Sequence, residues 1–219
     1  MEPIIVVDHV TKRYKEGTVL KDVTVSFEQG KIHGIIGKNG SGKSMLFKTI
    51  CGFVRPDEGK VTVNGQVVGK DVDFPDDLGV IIEAPGFLPY YSGFKNLKLL
   101  ADLRGRIGNR DIEQAMTLVG LDYRSKKSVR KYSMGMKQRL GIAQAVMENP
   151  SILILDEPMN GLDRQGIADV REILKKLRSQ GKTILITSHN HEDIEQLCDT
   201  VCEMDAGELT LCRRLKLPN

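Results

Sequence analysis

The sequence predicts an α/β fold in which a mainly parallel β-sheet carries antiparallel strands near its start and a helical insertion in its middle. Two observations lead to this prediction. Apolar runs alternate with amphipathic stretches in the first and last parts of the 219-residue chain, and the run Ile152–Leu155 has no polar break, which is typical of a strand buried on both faces of a parallel sheet. We expect a single domain over residues 1–219, with an α/β core at 1–83 and 150–219 and a helical subdomain at 84–149.

The first part of the chain contains most of the predicted strands. Residues Val23 to Phe27 alternate between apolar and polar, as a half-buried strand does, and Asn64-Gly65 is a favoured two-residue hairpin turn. These patterns predict strands at Ile4–Val10, Val19–Phe27, Lys31–Ile36 and Leu78–Ile82, a helix at Lys43–Cys51 and a hairpin around Asn64-Gly65.

The middle of the chain is predicted to be helical, from Glu83 to about Asn149. Its apolar residues fall at helical spacing in two sets, Leu97, Leu100, Leu103 and Ile112, Met116, Val119. After Pro150 the alternation of strands and helices returns. There we expect the strands "SILILD" and "KTILIT", a helix at Arg164–Arg178 and a final strand pair around Asp205–Gly207.

Composition suits a soluble globular protein with one sizeable core, since 40% of residues are hydrophobic and 28% are charged. A net charge of +3 gives little support for binding to nucleic acid or to a membrane surface. No apolar stretch approaches the ~20 residues needed to cross a bilayer, and the start lacks a secretory pattern, so we expect a cytoplasmic protein. Its cysteines form no Cys-x-x-Cys pair and are expected to be reduced thiols: Cys51, Cys198, Cys202 and Cys212.

The stretch "GKNGSGKS" at Gly37–Ser44 fits the pattern G-x-x-x-x-G-K-[ST], with a predicted strand before it and a helix after it. Glycines let backbone N–H groups curl around a phosphate without a Cβ in the way. Lys43 can reach the β- and γ-phosphates of a nucleotide, and Ser44 can ligate Mg²⁺. We expect the nucleotide to be held by Gly37, Asn39, Gly40, Ser41, Gly42, Lys43 and Ser44.

Two carboxylates follow the buried strand "ILIL", at the end where ligands bind in open α/β sheets. Asp156 is suited to share Mg²⁺ with Ser44, and Glu157 is suited to act as general base on an attacking water. Without the phosphate loop, a solvated Asp-Glu turn would be the better interpretation. The loop makes the functional interpretation the stronger one.

Two further side chains are candidates because of their positions relative to predicted strands. His189 lies in "TSHN" at the end of the strand "KTILIT", where a histidine can reach a γ-phosphate or the attacking water. Tyr14 follows the first strand and could stack on adenine, as aromatic side chains do on bases. Each residue also has an ordinary alternative, a surface histidine and an exposed aromatic residue in a loop.

The stretch "KYSMGMKQR" at Lys131–Arg139 predicts a second helix start suited to an anion. Ser133 is the predicted cap of this helix. One small chain therefore has two helix starts that suit phosphate, although a single nucleotide would occupy only the first.

The order of these segments resembles the ATP-binding cassette (ABC) family over nearly the whole chain. The resemblance rests on Tyr14, Walker A at Gly37–Ser44, a switch loop near Glu83, the signature at Ser133–Met136, Walker B at Ile152–Glu157, the loop Asn160–Asp163, and His189. The family signature is commonly LSGGQ, and here it reads Tyr132-Ser133-Met134-Gly135-Met136. The switch loop commonly carries Gln, and Glu83 in that place resembles bacterial exporters of lantibiotics, bacitracin and related peptides.

The resemblance implies a P-loop NTPase fold of the RecA-like type and an ATPase that uses ATP and Mg²⁺. In this family two cassettes pack head to tail, so that the signature of one caps the γ-phosphate bound by the other. This assigns Ser133, Gly135 and Asp163 to the composite ATP site, and places Glu83 beside both the nucleotide and the metal. Met134 and Met136 depart from the pattern in the segment that holds the two cassettes together.

The implied function is that of an ATP-hydrolysing subunit whose dimer closes and opens to drive a transmembrane permease, which docks near Glu83 and Phe87. We expect export of an antimicrobial peptide or drug, a peripheral position on the inner face of the cell membrane, membrane contact only through the permease, and no nucleic acid. The alternatives are a soluble ABC-type ATPase without a permease, a nucleotide-sensing module and a nucleotide kinase. A kinase would not need the signature, and Glu157 and His189 argue against an inactive sensor.

Overall fold

The computed structural model describes residues 3–83 and 86–215. Within them the chain forms ten strands and six α-helices, which alternate between β7 and β9 as the sequence predicts for the part after Pro150. The strands are β1 Pro3–Tyr14, β2 Gly17–Glu28, β3 Ile32–Ile36, β4 Glu58–Val63, β5 Gln66–Val67, β6 Leu78–Ile81, β7 Ile152–Leu155, β8 Thr183–Ser188, β9 Thr200–Asp205 and β10 Glu208–Arg214. The helices are α1 Lys43–Ile50, α2 Gly93–Arg104, α3 Asn109–Leu118, α4 Met134–Val146, α5 Arg164–Ser179 and α6 His191–Leu197.

One sheet is antiparallel and has the strand order β2-β1-β4-β5. Its β4–β5 hairpin turns at Asn64 and Gly65, which have φ angles of 51° and 77°. Positive φ at both central residues is what the favoured two-residue hairpin turn requires, so the predicted hairpin is confirmed. Strand β1 is longer than predicted and includes Tyr14 as its last residue, whereas the sequence pattern placed this tyrosine in a following loop.

The other sheet has the order β10-β9-β3-β8-β7-β6, and its strands are parallel except for the antiparallel β10. Strands β3, β7 and β8 are buried along their whole length. Alternate residues of a strand face opposite sides of its sheet. Accordingly, Leu153 and Leu155 pack in the cluster that contains helices α2–α5, while Ile152 and Ile154 pack in the cluster shared with the antiparallel sheet.

Helices α2, α3 and α4 lie between β6 and β7 in the sequence, as predicted. Leu97, Ile112, Met116 and Val119 are fully buried. The remaining leucines of the predicted apolar set differ, because 36% of Leu100 and 84% of Leu103 are exposed. The spacing predicts helix α2 correctly, but Leu100 and Leu103 on its apolar face are exposed and do not pack in the described core.

The cysteines correct one expectation from the sequence. Cys202 in β9 lies directly across from Cys212 in β10, and the two form a disulfide. The prediction of four reduced thiols is therefore wrong for this pair, because it considered only close spacing along the chain. Cys51 and Cys198 are free and buried, and burial raises the pKa of the Cys51 thiol to about 12. Such a thiol carries little of the reactive thiolate form.

Within the described ranges, no helix combines the length and the apolar character that crossing a bilayer would require.

Candidate nucleotide-binding site

The glycine-rich loop lies between β3 and α1, at the carboxyl edge of the parallel sheet. Gly37 has φ 155°, and a Cβ built on it would lie 2.2 Å from the carbonyl oxygen of Met204. Gly42 has φ 110°, and its Cβ would lie 2.8 Å from Cε of Met204 and 3.0 Å from the carbonyl oxygen of Val19. Both positions therefore require glycine, for conformation and for space.

The side chain of Lys43 folds back over this loop. Its Nζ donates hydrogen bonds to the carbonyl oxygens of Gly37 at 2.7 Å and Lys38 at 3.1 Å. An ammonium group has three donors, so one remains for a ligand. The Oγ of Ser41 is buried and has no hydrogen-bond partner among the described residues. A cation with a spare donor beside an unpaired buried hydroxyl fits a phosphate group.

A cavity of about 370 Å³ opens beside the loop. Met45 is among its lining residues, and the hydroxyl of Tyr14 donates to the sulfur of Met45 at 3.8 Å. This places Tyr14, which is 44% exposed, at the rim of the cavity. The lining residues are Val19, Asn39, Gly40, Gly42, Lys43, Ser44, Met45, Asp156 and Glu157.

Asp156 is nearly buried and is held by two hydroxyl groups. Ser44 Oγ donates to Asp156 Oδ2 at 2.5 Å, and Thr187 Oγ1 donates to Asp156 Oδ1 at 2.5 Å. Thr187 also accepts a hydrogen bond from the backbone nitrogen of Glu157 at 2.8 Å. A serine hydroxyl beside a carboxylate supplies the hard oxygen ligands that Mg²⁺ prefers, so Ser44 and Asp156 fit this metal.

Glu157 follows Asp156 at a strained turn, since its φ is 50° and it is not glycine. His189 Nδ1 lies 2.9 Å from Glu157 Oε2. Because a carboxylate only accepts hydrogen bonds, Nδ1 donates to it. Gln138 of α4 donates to the carbonyl oxygen of Glu157 at 3.2 Å, which links the helix after the signature to this turn.

Glu83 lies outside the lining of this cavity. Its Oε1 is 2.5 Å from Nζ of Lys48, which follows Ser44 by four residues on α1. Residues four apart share one face of a helix. Glu83 is therefore connected to the helix that carries the phosphate loop, one turn beyond Ser44. Its φ of 63° marks a second strained position in the site region.

Ser133 caps α4, and its Oγ accepts a hydrogen bond from the backbone nitrogen of Met136 at 3.2 Å. Met134 is 60% exposed and lies across Gly161, where a Cβ would come within 2.5 Å of its sulfur. Gly135 faces Leu162 of the same loop, and Asp163 caps α5 through the backbone nitrogen of Gly166 at 2.8 Å. The signature thus packs against the Asn160–Asp163 loop.

The predicted site residues therefore form two groups. One cavity has His189 and Tyr14 beside it and is lined by Asn39, Gly40, Gly42, Lys43, Ser44, Asp156 and Glu157. Gly37 and Ser41 belong to the same loop but do not line this cavity. Ser133, Gly135 and Asp163 do not line that cavity. Sequence reasoning missed Thr187, Gln138 and Lys48. Of these three, only Thr187 could have been found from the sequence, because it lies near the end of the strand that precedes His189.

Comparison with known proteins identifies this arrangement. The family model described as "ABC transporter" matches residues 20–160, which is more than half of the chain. The chain belongs to the ABC transporter family. It is 45% identical over 206 residues to an uncharacterized ABC transporter ATP-binding protein, YybJ, of Bacillus subtilis, with 94% of each chain covered.

Two other relatives of this cassette have named transport roles. The bacitracin transport ATP-binding protein BcrA of Enterococcus faecalis is 41% identical, with 95% of this chain and 68% of the relative covered. The lantibiotic transport ATP-binding protein SrtF of Streptococcus pyogenes is 35% identical, with 94% and 88% covered. Among solved structures, the dimeric bacterial ABC transporter cassette MJ0796 has a TM-score of 0.87 at 25% identity, with 97% and 99% covered.

These findings confirm the resemblance predicted from the sequence and the P-loop NTPase fold of the ABC cassette. The protein is an ABC ATPase that binds ATP, and its fold combines the parallel sheet, the antiparallel sheet and the helices of that family. A solved neighbour with ADP and phosphate bound, at TM-score 0.87 and 24% identity, shares this fold.

Proposed function

We propose that this cassette hydrolyses Mg²⁺-bound ATP at the interface of two cassettes, and that the closing and opening of this dimer drive a permease that exports a peptide or drug. The observation that carries the proposal is the separation of the two groups of site residues. Lys43 lies in a cavity that the chain's own Ser133 does not line. A second cassette could supply the missing helix start.

Different side chains of this cassette would have separate roles in ATP hydrolysis. Lys43 would hold the β- and γ-phosphates with its spare donor, and Ser44 with Asp156 would hold Mg²⁺. When bound, the metal ion would neutralise charge on the phosphate oxygens. Glu157 would take a proton from the attacking water. His189 would orient Glu157 through their 2.9 Å hydrogen bond.

The partner cassette would complete the site through its own signature. Ser133 Oγ and the open backbone N–H groups at the start of α4 would face the γ-phosphate, and Gly135 would let the backbone approach closely. Asp163 would contribute through the loop that packs on the signature. ATP would thus act as a ligand that binds the closed dimer better than the open one, with hydrolysis releasing it.

An apolar groove supports the permease as a partner. It has a volume of about 510 Å³ and lies between helices α2 and α4 and the strand β6. Exposed apolar groups in one place mark an interaction surface. Ile82 lines the groove and precedes Glu83, so a docked permease would lie beside the segment paired with α1. Such docking would place the cassette on the cytoplasmic face of the membrane. The apolar lining residues include Phe53, Phe74, Leu78, Leu100 and Leu103.

The cargo is proposed from the named relatives and from Glu83. The two relatives with named roles serve bacitracin and lantibiotic transport. Both are peptide antibiotics, and the glutamate in the switch loop resembles the cassettes of such exporters. An antimicrobial peptide or a similar drug is therefore the cargo class that we propose.

The dimer can be tested with one pair of variants. Glu157→Gln should retain ATP while slowing hydrolysis, so that cassettes accumulate as dimers in Mg-ATP, measured by light scattering. Adding Ser133→Arg should return them to monomers, because the long arginine side chain would prevent the signature from approaching the γ-phosphate held by the partner. If the double variant dimerises as well as Glu157→Gln alone, the signature does not cap ATP in the partner and the proposal is wrong.

A further inference from the structure

The positive charge of the chain is concentrated in one segment, residues 122–137. This segment carries a net charge of +5 against +3 for the whole chain, so the remaining residues together carry −2. Its single acidic residue is Asp122, whose carboxylate accepts a hydrogen bond from the backbone nitrogen of Arg124. The six cations are all exposed, and within the described residues none forms an ion pair: Arg124, Lys126, Lys127, Arg130, Lys131 and Lys137.

The segment 122–137 is hydrogen-bonded to the loop before α2, which exposes apolar and aromatic groups. The backbone nitrogens of Val129 and Arg130 donate to the carbonyl oxygens of Tyr91 and Pro89, both at 2.8 Å. The exposed fractions of Leu88, Tyr90 and Tyr91 are 48%, 76% and 38%. Lys95 Nζ lies 4.1 Å from the centre of the Tyr91 ring. We call the following residues together the basic face: Leu88, Tyr90, Tyr91, Lys95, Arg124, Lys126, Lys127 and Arg130.

We propose that the basic face binds the anionic phospholipid headgroups of the membrane on which the cassette works. This proposal rests on the proposed function for the nearness of a membrane, and it replaces the expectation that the membrane is met only through a permease. Clusters of four to eight Lys and Arg residues near a membrane bind anionic headgroups. Tyrosine is enriched at membrane–water interfaces because its ring is apolar and its hydroxyl polar.

The exposed cations of the basic face that have no carboxylate partner among the described residues favour binding to an anion outside the chain. Cations grouped on one surface repel each other, and elsewhere in this chain many exposed cations have a carboxylate partner, such as Arg13 with Glu58 and Arg55 with Asp73. Arg124, Lys126, Lys127 and Arg130 have none in the described residues. The ATP of a partner cassette would account for Lys131 and Lys137, which flank the cap Ser133, but not for these four cations, which lie further before the cap.

The apolar groups favour a lipid surface over a second acidic protein. Leu88 and Tyr90 are exposed in the loop that is hydrogen-bonded to the basic segment. Acidic groups alone would pair only with the cations, whereas the interface layer of a membrane accepts both cationic and apolar groups. The basic face adjoins the start of α2. Leu100 and Leu103, later in that helix, line the apolar groove where we propose that the permease docks. One helix thus connects the surface that would meet the lipid with the surface that would meet the permease.

The test uses the full chain and vesicles without a permease. The basic-face variant replaces Arg124, Lys126, Lys127 and Arg130 with Gln. The control variant replaces Lys15, Lys70, Arg110 and Lys176 with Gln, four exposed cations that lie outside the segment and have no ion pair among the described residues. Both variants lose the same charge. Binding is measured by co-sedimentation with vesicles of phosphatidylcholine alone or mixed with phosphatidylglycerol.

We expect the wild-type chain and the control variant to bind the vesicles that contain phosphatidylglycerol, and the basic-face variant to bind at least tenfold more weakly. At about 1 M salt, where the Debye length is about 3 Å, binding should be lost. Tyr90→Ala should weaken binding several-fold at unchanged charge. ATP hydrolysis by the isolated basic-face variant should equal that of the wild type, because none of its four residues belongs to the nucleotide site.

Three outcomes would overturn the proposal. In the first, the basic-face variant binds as well as the wild type. In the second, the control variant loses as much binding as the basic-face variant, which would make net charge the cause. In the third, the wild type does not bind vesicles that contain phosphatidylglycerol. If a separate ATPase assay with a permease then shows that the basic-face variant loses stimulation, the partner of the basic face is a protein. Failure of the proposed function would instead appear as a wild-type chain that does not hydrolyse ATP.

Discussion

Lys48 and Glu83 form an ion pair, with 2.5 Å between Nζ and Oε1, that joins the helix after the phosphate loop to the segment after strand β6. The side chains are 29% and 66% exposed, and such surface pairs typically stabilise a fold by only about 0–1 kcal/mol. The position of the pair therefore matters more than its contribution to stability. It connects the helix of Ser44 to the segment that follows Ile82, at the edge of the apolar groove where we propose that the permease docks.

We predict that Glu83→Gln leaves the ATPase activity of the isolated cassette within about tenfold, an effect of ~1.4 kcal/mol on the barrier. The reason is that Glu83 pairs with Lys48 and does not line the nucleotide cavity. Steady-state phosphate release checks this prediction. A variant as inactive as Glu157→Gln would make Glu83 part of the hydrolytic centre.

A double-mutant cycle tests the coupling role of the pair. With the permease present, Lys48→Ala and Glu83→Gln should each reduce transport, and the double variant should be no worse than either, because all three remove one interaction. Lys98→Ala, which breaks an ion pair with Asp102 on α2, is the matched control and should leave transport unchanged. Additive losses from the two variants would show that Lys48 and Glu83 act separately.

Lys43→Ala should abolish measurable ATP binding in calorimetry while the melting temperature falls little. Among the described residues, the side chain bonds only to carbonyl oxygens of its own loop, and it does not belong to either hydrophobic cluster. Removing it takes away the charge that meets the phosphates. A folded Lys43→Ala protein with wild-type ATP affinity would contradict the assignment of the phosphate loop.

His189 should act through Glu157. Glu157→Gln should slow hydrolysis on the order of a hundredfold or more, as the loss of a general base does. His189→Ala should also lower kcat with ATP affinity nearly unchanged, and His189→Gln should recover part of the loss because an amide can still donate to Glu157 Oε2. If the Ala and Gln variants are equally slow, orientation of Glu157 is not the function of His189.

The chemistry of the cavity could be predicted because its residues lie at the carboxyl ends of parallel strands of one sheet. The pattern fixes Lys43 and Ser44 at the start of a helix, and Asp156 follows a buried strand, so fold class alone brings them to one edge of the sheet. Thr187, Gln138 and Lys48 could not be assigned in this way. Their roles depend on which side chains meet across separate elements.

The other differences between prediction and structure depend on contacts between elements that are distant along the chain or that lie outside it. The disulfide depends on Cys202 and Cys212 lying opposite each other across β9 and β10, which spacing along the chain does not specify. Helical periodicity likewise predicts an apolar face but not what covers it, and so Leu103 is exposed although Leu97 is buried. A surface meant for a partner has the same pattern as a surface meant for the core.

His33 gives the fold a pH dependence that a single substitution can test. It is 1% exposed in β3, and its Nε2 donates to the carbonyl oxygen of Glu28 at 2.8 Å, while Nδ1 accepts from Thr200 Oγ1 at 2.6 Å. This pairing suits the neutral ring. Burial lowers the pKa of His33 below its ordinary value of 6.5, against the opposing effects of the Glu28 carbonyl and Asp199.

The direction of this pH dependence follows from the number of protons that the folded and unfolded chains bind. Below pH 6.5 His33 is protonated in the unfolded chain but stays neutral in the folded chain until the pH reaches its lowered pKa. The free energy of unfolding should therefore decrease as pH falls from 6.5 toward that pKa. Above pH 6.5, His33 should make no contribution to the pH dependence. Urea denaturation at about pH 8 and about pH 5.5 measures this decrease. His33→Gln should be less stable at both values, because it loses contact with Phe27, but should show a smaller decrease between them. An equal decrease in the variant would assign the pH dependence to other groups.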